Sequence, residues 1–232
     1  MKVFAISDLH LSENQPKPMD IFGDNWDGYF DVIKQDWQEK VSDDDIVLIP
    51  GDISWAMNLT DALADLNLIG ALKGKKVILR GNHDYWWSSI SKVRTSLPSN
   101  MFAIQNDALK FHNVVICGSR GWTVPNSKEF TDEDEKIYNR EAMRLKMSFE
   151  AAGKIRDNAD KLICIMHYPP FNVNRQDNEF TKIIVTYSPD AVVYGHLHGK
   201  DVRADLKINL FGTKLYLTST DLIKHRLVEI EI

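Results

Sequence analysis

The chain has 232 residues, a formal net charge of −5 and 44% hydrophobic residues. That apolar content excludes a disordered chain. The acidic balance argues against a long nucleic-acid partner, which needs a cationic field. The longest basic cluster, Lys73-Gly74-Lys75-Lys76, reads as a solvated turn. Cys117 and Cys164 lie inside apolar runs and read as buried free thiols rather than a disulfide framework. No apolar stretch approaches the ~20 residues of a membrane helix. A strand predicted from residue 2 leaves no room for a signal peptide before it, so a cytoplasmic location is expected.

In chain order, strands are predicted over residues 2–7, 45–50, 76–80, 101–105, 114–118, 162–166, 191–195, 206–211, 214–219 and 226–231. These runs are rich in Val, Ile and aromatics and are bounded by Gly, Asp or Pro. Helical patterns at 28–41, 59–72 and 85–96 alternate with the early strands, which suggests βαβ units. Asp132 to Ala152 carries Ile137, Ala142, Leu145, Phe149 and Ala152 at helical spacing. The last quarter is almost all strand, with Phe211-Gly212-Thr213-Lys214 as a hairpin turn. Strands near both ends predict two mixed sheets packed face to face with helices outside. No linker divides the chain, so residues 1–232 are read as one domain. The stretches 11–27 and 120–135 read as long surface loops.

Five apolar runs end in metal-type ligands. They lead into Asp8-Leu9-His10, Gly51-Asp52, Gly81-Asn82-His83-Asp84, His167 and Gly195-His196-Leu197-His198. Each alone has an ordinary structural explanation: a strand-end pair, a cap, a turn former, a packed histidine. Five at once place carboxylate, imidazole and amide groups at the carboxyl ends of strands, where open α/β sheets bind ligands. The glycines before Asp52, Asn82 and His196 are read as allowing tight turns. The Asp/Asn/His mixture suits borderline divalent metals better than Mg²⁺ or Ca²⁺ alone.

In order and placement these five motifs resemble those of the calcineurin-like metallophosphoesterases, over residues 1–200. The resemblance implies a four-layer α/β/β/α sandwich, in agreement with the strand reading. It implies that Asp8, His10 and His198 hold one metal, that Asn82, His167 and His196 hold another, and that Asp52 bridges both. Mn, Fe, Zn and Ni all accept such ligands. It further implies phosphoester hydrolysis by a hydroxide held between the ions, with His83 as general acid or stabiliser and Asp84 orienting it. Arg80, in the sequence Leu79-Arg80-Gly81-Asn82-His83, matches an arginine that contacts phosphate in the protein phosphatase branch. Arg120, Trp122 and Tyr168 are further candidate substrate residues. One departure stands out: many members carry a second Asp three residues after the bridging one, and here that position is Trp55.

Trp55, Trp86, Trp87, Trp122, Tyr85 and Tyr168 offer an aromatic wall, with segments 120–135 and 171–182 as a rim. The expected substrate is a small phosphoester, mono- or diester, or a nucleotide. The competing readings are a non-catalytic metal-binding scaffold and a nuclease of the same family.

Overall fold

The computed structural model describes residues 1–232 apart from 15, 18, 20–22 and 211. One sheet holds β1 (Val3–Ala5), β2 (Ile46–Pro50), β3 (Lys75–Leu79) and β4 (Met101–Ala103) in parallel, with β11 (Val228–Glu229) antiparallel on the β1 edge. The other has a parallel centre of β6 (Val114–Ser119), β7 (Lys161–Met166), β8 (Ala191–Tyr194) and β10 (Thr213–Leu217). Its antiparallel edges are β5 (Ala108–Phe111) and β9 (Lys207–Leu210).

Strand alternation explains the layers. In the first sheet Val3, Ala5, Ile46, Leu48 and Val77 face inward and meet Ile116, Ile163, Ile165 and Val193 of the second in a shared core. The intervening Phe4, Val47, Ile49 and Ile78 face outward under α1 (Tyr29–Lys40) and α2 (Leu59–Gly70), packing with Ile33, Trp37, Leu66 and Ile69. On the far side Val115, Cys117, Leu162 and Cys164 pack against Leu145 and Phe149 of α4 (Asp132–Ile155) and Phe180 and Ile184 of α5 (Glu179–Tyr187). The result is the expected α/β/β/α sandwich. Both faces of the central strands are covered, which is why they read as unbroken apolar runs. Cys117 and Cys164 are buried and free. No helix among the described residues is long and apolar enough to cross a membrane.

Four expectations change. Strand β5 was not predicted, because Ala-Leu-Lys-Phe is half-buried and short; its pairing comes from the tight His112–Asn113 turn into β6, where His112 has φ 52°. Helix α5 lies inside the expected rim and starts at Asn178, whose side chain accepts from the Phe180 and Thr181 amides. The helix predicted over 85–96 is only α3 (Ile90–Ser96), since residues 84–87 form turns held by the Asp84 carboxylate and carbonyl. The expected hairpin pairing of β9 with β10 is unchanged, with Thr213 opposite Leu210; Phe211 of the predicted turn lies outside the described residues.

The fourth change concerns the basic cluster. Lys76 is fully buried, and its ammonium donates to the carbonyls of Gly70 (3.2 Å), Gly74 (3.1 Å) and Leu72. A cation at the last carbonyls of α2 satisfies acceptors the helix leaves open. Burial lowers its pKa to about 8. Lys76→Met keeps the packing and strands these carbonyls. Urea unfolding should show a loss of about 2 kcal/mol; an unchanged midpoint would remove Lys76 from this role.

Candidate metal centre

The centre lies at the carboxyl ends of β1, β2 and β3 in one sheet and β7 and β8 in the other. Beyond β1 the chain runs alongside the segment after β2: the Asp8 amide donates to Gly51 O (3.1 Å), His10 to Asp52 O (3.0 Å) and Leu11 to Ile53 O (2.9 Å). This crowding bends the backbone. Asp8, His10, Asp52 and His196 have φ of 57°, 48°, 52° and 71°. A left-handed non-glycine residue costs of order 1 kcal/mol, and four in one cluster mark strain held by the surrounding fold.

Of the three glycines, only Gly51 is there for a turn, with φ 95°. Gly81 and Gly195 have ordinary φ and are needed for close approach. A Cβ on Gly81 would overlap Asp52 Oδ1, and one on Gly195 would overlap Ser7 Oγ and crowd Asp8 Oδ2.

The expected metal-type side chains converge. Ligand atoms of Asp8, His10 and His198 lie within 4.8 Å of one another, as do those of Asp8, Asp52 and His167. Asn82 Oδ1 is 2.6 Å from His167 Nε2 and 3.0 Å from His196 Nδ1. Asp52 Oδ2 is 3.5 Å from His167 Nε2 and 3.8 Å from His10 Nε2.

Proton placement shows what this cluster lacks. His167 Nδ1 sits 3.0 Å from the Pro50 carbonyl, so its proton is used there and the Nε2 lone pair points at Asn82 Oδ1 and Asp52 Oδ2. Protonating Nε2 would relieve the clash of acceptors, but burial lowers the His167 pKa to about 3 and that of His196 likewise to about 3. His10 is also held well below its usual range, first by burial and then by the neighbouring His198 and His83. Both His10 nitrogens and Asp52 Oδ2 are buried with no hydrogen-bond partner among the described residues. Neutral imidazole lone pairs, a carbonyl oxygen and carboxyl groups converge here, and a bound cation would take the place of the proton that Asp52 otherwise holds.

The carboxylates are held differently. Asp8 Oδ2 accepts from Ser7 Oγ (2.6 Å), and both its oxygens accept from the His196 amide (3.1 and 3.0 Å). Asp52 Oδ1 accepts from the His83 amide (2.8 Å), while burial and the charges of Asp8 and Asp84 push its pKa up to about 9. Ser7 and Thr218, 3.3 Å apart at the sheet seam, were not singled out from sequence; nothing distinguishes them there from other strand-end hydroxyls.

Asp84 requires a correction. It is fully buried and accepts from the amides of Gly81 (2.7 Å), Asp52 (2.9 Å), Ile53 (2.9 Å) and Ser54 (3.3 Å), and from Trp86 Nε1 (2.9 Å). None of these bonds goes to His83. Asp84 ties the turn after β2 to the turn after β3 instead of orienting the imidazole. The half-buried His83 ring stands between Trp55, at 4.5 Å, and Tyr85, at 6.1 Å between ring centroids. Burial first, then His198 and Lys17, keeps its pKa below the usual value.

The four candidate substrate residues separate into two places. Tyr168 packs 3.9 Å from the His196 ring and 5.0 Å from Trp122, and all three line a cavity of about 710 Å³. Arg80 and Arg120 line a smaller one of about 120 Å³ with Glu141 and Arg144. Arg120 reaches the buried Glu141 at 3.4 Å and lies 4.5 Å over the Trp122 ring. The aromatic wall is likewise divided: Trp86 and Trp87 are buried in the outer core of the first sheet, while Tyr85 is exposed.

Two outcomes follow from this geometry. Asp84→Asn loses acceptor capacity toward four amides, so bound metal and thermal stability should fall together; a variant with full metal content and reduced turnover alone would restore the orienting role. Asp52 has a raised folded-state pKa, so its contribution to stability is present near pH 4 and is lost as pH rises through about 9. The metal-free protein should therefore melt at lower temperature at pH 9 than at pH 6.5. Mn²⁺ or the Asp52→Asn substitution should flatten that decline. Equal slopes by calorimetry would refute this assignment.

Residues 1–200 match the family model for calcineurin-like phosphoesterases. No curated protein matches the sequence. Among solved structures, a Thermus thermophilus protein is similar at 12% identity, with a TM-score of 0.63 over 99% of this chain and 97% of that one. The phosphopantetheinyl hydrolase from Mycobacterium tuberculosis is similar at 13% identity and TM-score 0.54, covering 99% and 95%. A protein of unknown function from Aquifex aeolicus is similar at 14% identity and TM-score 0.52, covering 98% and 95%. At such identities these likenesses speak to the fold alone. With its α/β/β/α sandwich and the Asp/Asn/His cluster at its strand ends, the chain belongs to the calcineurin-like phosphoesterases.

Proposed function

We propose that this chain is a phosphoester hydrolase working with two bound metal ions. The observation that carries the proposal is the convergence of His167 Nε2, Asn82 Oδ1 and Asp52 Oδ2, with the His167 imidazole kept neutral by burial. Asp8, His10, His198 and Asp52 would hold one ion; Asn82, His167, His196 and Asp52 would hold the other. When bound, such ions supply a water nucleophile at neutral pH and offset charge on phosphoryl oxygens. Mn, Fe, Zn and Ni all suit this ligand set.

The remaining roles belong to the chain itself. The His83 amide is fixed on Asp52, and its half-buried ring lies 5.7 Å from that of His10, where it would meet a phosphoester bound at the cluster. Burial keeps the ring neutral before substrate binds; the negative charge of an arriving phosphoester favours the imidazolium, which would take a proton from solvent and pass it to the leaving-group oxygen. Tyr168 packs on the His196 ring and carries the cluster into the larger cavity. About 710 Å³ exceeds what a phosphate needs and suits an organic ester or nucleotide. Aromatic Trp122, Phe171 and Tyr194 would receive its organic part.

The test is hydrolysis of p-nitrophenyl phosphate and bis-p-nitrophenyl phosphate by the Mn-loaded protein. Wild type should be active, and Asp52→Asn should lose both metal and activity. His83→Ala should keep its metal, measured by mass spectrometry, and lose about 10²–10⁴-fold in turnover. If wild type and Asp52→Asn hydrolyse both esters at the same rate, the proposal fails.

A further inference from the structure

We propose that Lys17, seated on Trp55 beside the metal ligands, binds a phosphoryl oxygen and turns this centre toward dianionic phosphate monoesters. This inference rests on the hydrolase reading above and names its substrate class.

Trp55 stands three residues after Asp52. Its ring stacks on His10 at 4.7 Å and 21° and lies 4.5 Å from His83. Its indole N–H donates to Met19 Sδ at 3.2 Å, which ties the ring to the loop after β1. Lys17, on that same loop, places Nζ 3.6 Å from the Trp55 ring centroid. The Lys17 amide donates to Ser12 Oγ at 3.0 Å, so the backbone below the side chain is also held.

An ammonium on a ring face is positioned without being neutralised. It keeps N–H donors for a ligand, and no described carboxylate forms an ion pair with it. The contrast with neighbouring cations is direct. Arg120 and Arg144 reach Glu141 at 3.4 and 2.7 Å, and Arg175 reaches Asp205 at 2.7 Å. A lysine on an aromatic seat therefore brings an unneutralised positive charge to this edge of the centre.

That sign selects between esters. Near neutral pH a phosphate monoester carries close to two negative charges, because its second pKa is near 6. A diester carries one. A further cation beside the metals favours the dianion, and a charge-assisted bond from Nζ to its extra oxygen has no equivalent in a diester.

The experiment compares Mn-loaded wild type, Lys17→Met and Lys17→Arg on p-nitrophenyl phosphate and bis-p-nitrophenyl phosphate, with metal content measured for each. Lys17→Met should keep its metal and lose about 10–100-fold in kcat/KM on the monoester, the usual range for deleting one charged hydrogen bond. On the diester it should change less than about 3-fold, while Lys17→Arg should retain most monoester activity. Equal losses on both esters, no loss on either, or loss of metal from Lys17→Met would each overturn the proposal. If wild type hydrolyses neither ester, the hydrolase reading has failed separately. Calorimetric titration of inorganic phosphate into the Mn-loaded proteins then decides: about 10-fold weaker binding by Lys17→Met supports the role of Lys17, and equal affinity refutes it.

Discussion

Asp8, Asp52 and Asp84 are fully buried around one point, and among the described residues no lysine or arginine pairs with any of them. Burying charge in this way costs several kcal/mol unless hydrogen bonds or counter-charges compensate. The three are treated unequally. Asp84 collects four amides and an indole N–H, Asp8 takes a serine hydroxyl and one amide, and Asp52 keeps one oxygen bare. The same ordering separates a carboxylate that builds the frame from carboxylates left with capacity for a cation. The strained backbone at four residues and the close approach at Gly81 and Gly195 are consequences of forcing these groups together.

The two sheets divide the work. The first supplies Asp8, His10, Asp52 and Asn82, and the second supplies His167, His196 and His198, so the cluster forms only when their inner faces are packed. That packing is made by hydrophobic side chains, among them Ala5, Leu48 and Leu79 facing Ile165 and Val193. Dense interiors transmit position with little give, which is what ligand atoms held to fractions of an ångström require. Hydrogen bonds crossing the seam reinforce this: the Ser7 amide donates to Thr218 O, and the His196 amide to Asp8. Around this rigid floor the walls come from loops, with Trp55 and Lys17 on one side and Tyr168, Trp122 and Phe171 on another.

The four-layer sandwich and the membership of the ligand cluster could be read from the chain because each rests on local order. Buried parallel strands are continuous apolar runs, and ligands at strand ends follow them immediately. Edge strand β5 and helix α5 escaped because their signals are short and half-exposed. Two fully buried polar side chains, Asp84 and Lys76, were harder still. Asp84 adjoins His83 in sequence, yet its partners are amides thirty residues earlier; Lys76 sits in a run of surface lysines yet faces the end of α2.

The sequence by itself determined the order of the strands' apolar faces, the kinds of donor atom at their ends and the family to which they belong, since all three are written in neighbouring residues. Only the tertiary structure decided which acceptor each proton reaches. It sent Arg80 and Arg120 to a cavity apart from the one that reaches His196, made Asp84 a brace between two turns, and set Lys17 on the Trp55 ring. The physical reason is common to all of these. A side chain's charge and hydrogen bonds are settled by neighbours that lie far along the chain, and local spacing carries no information about them.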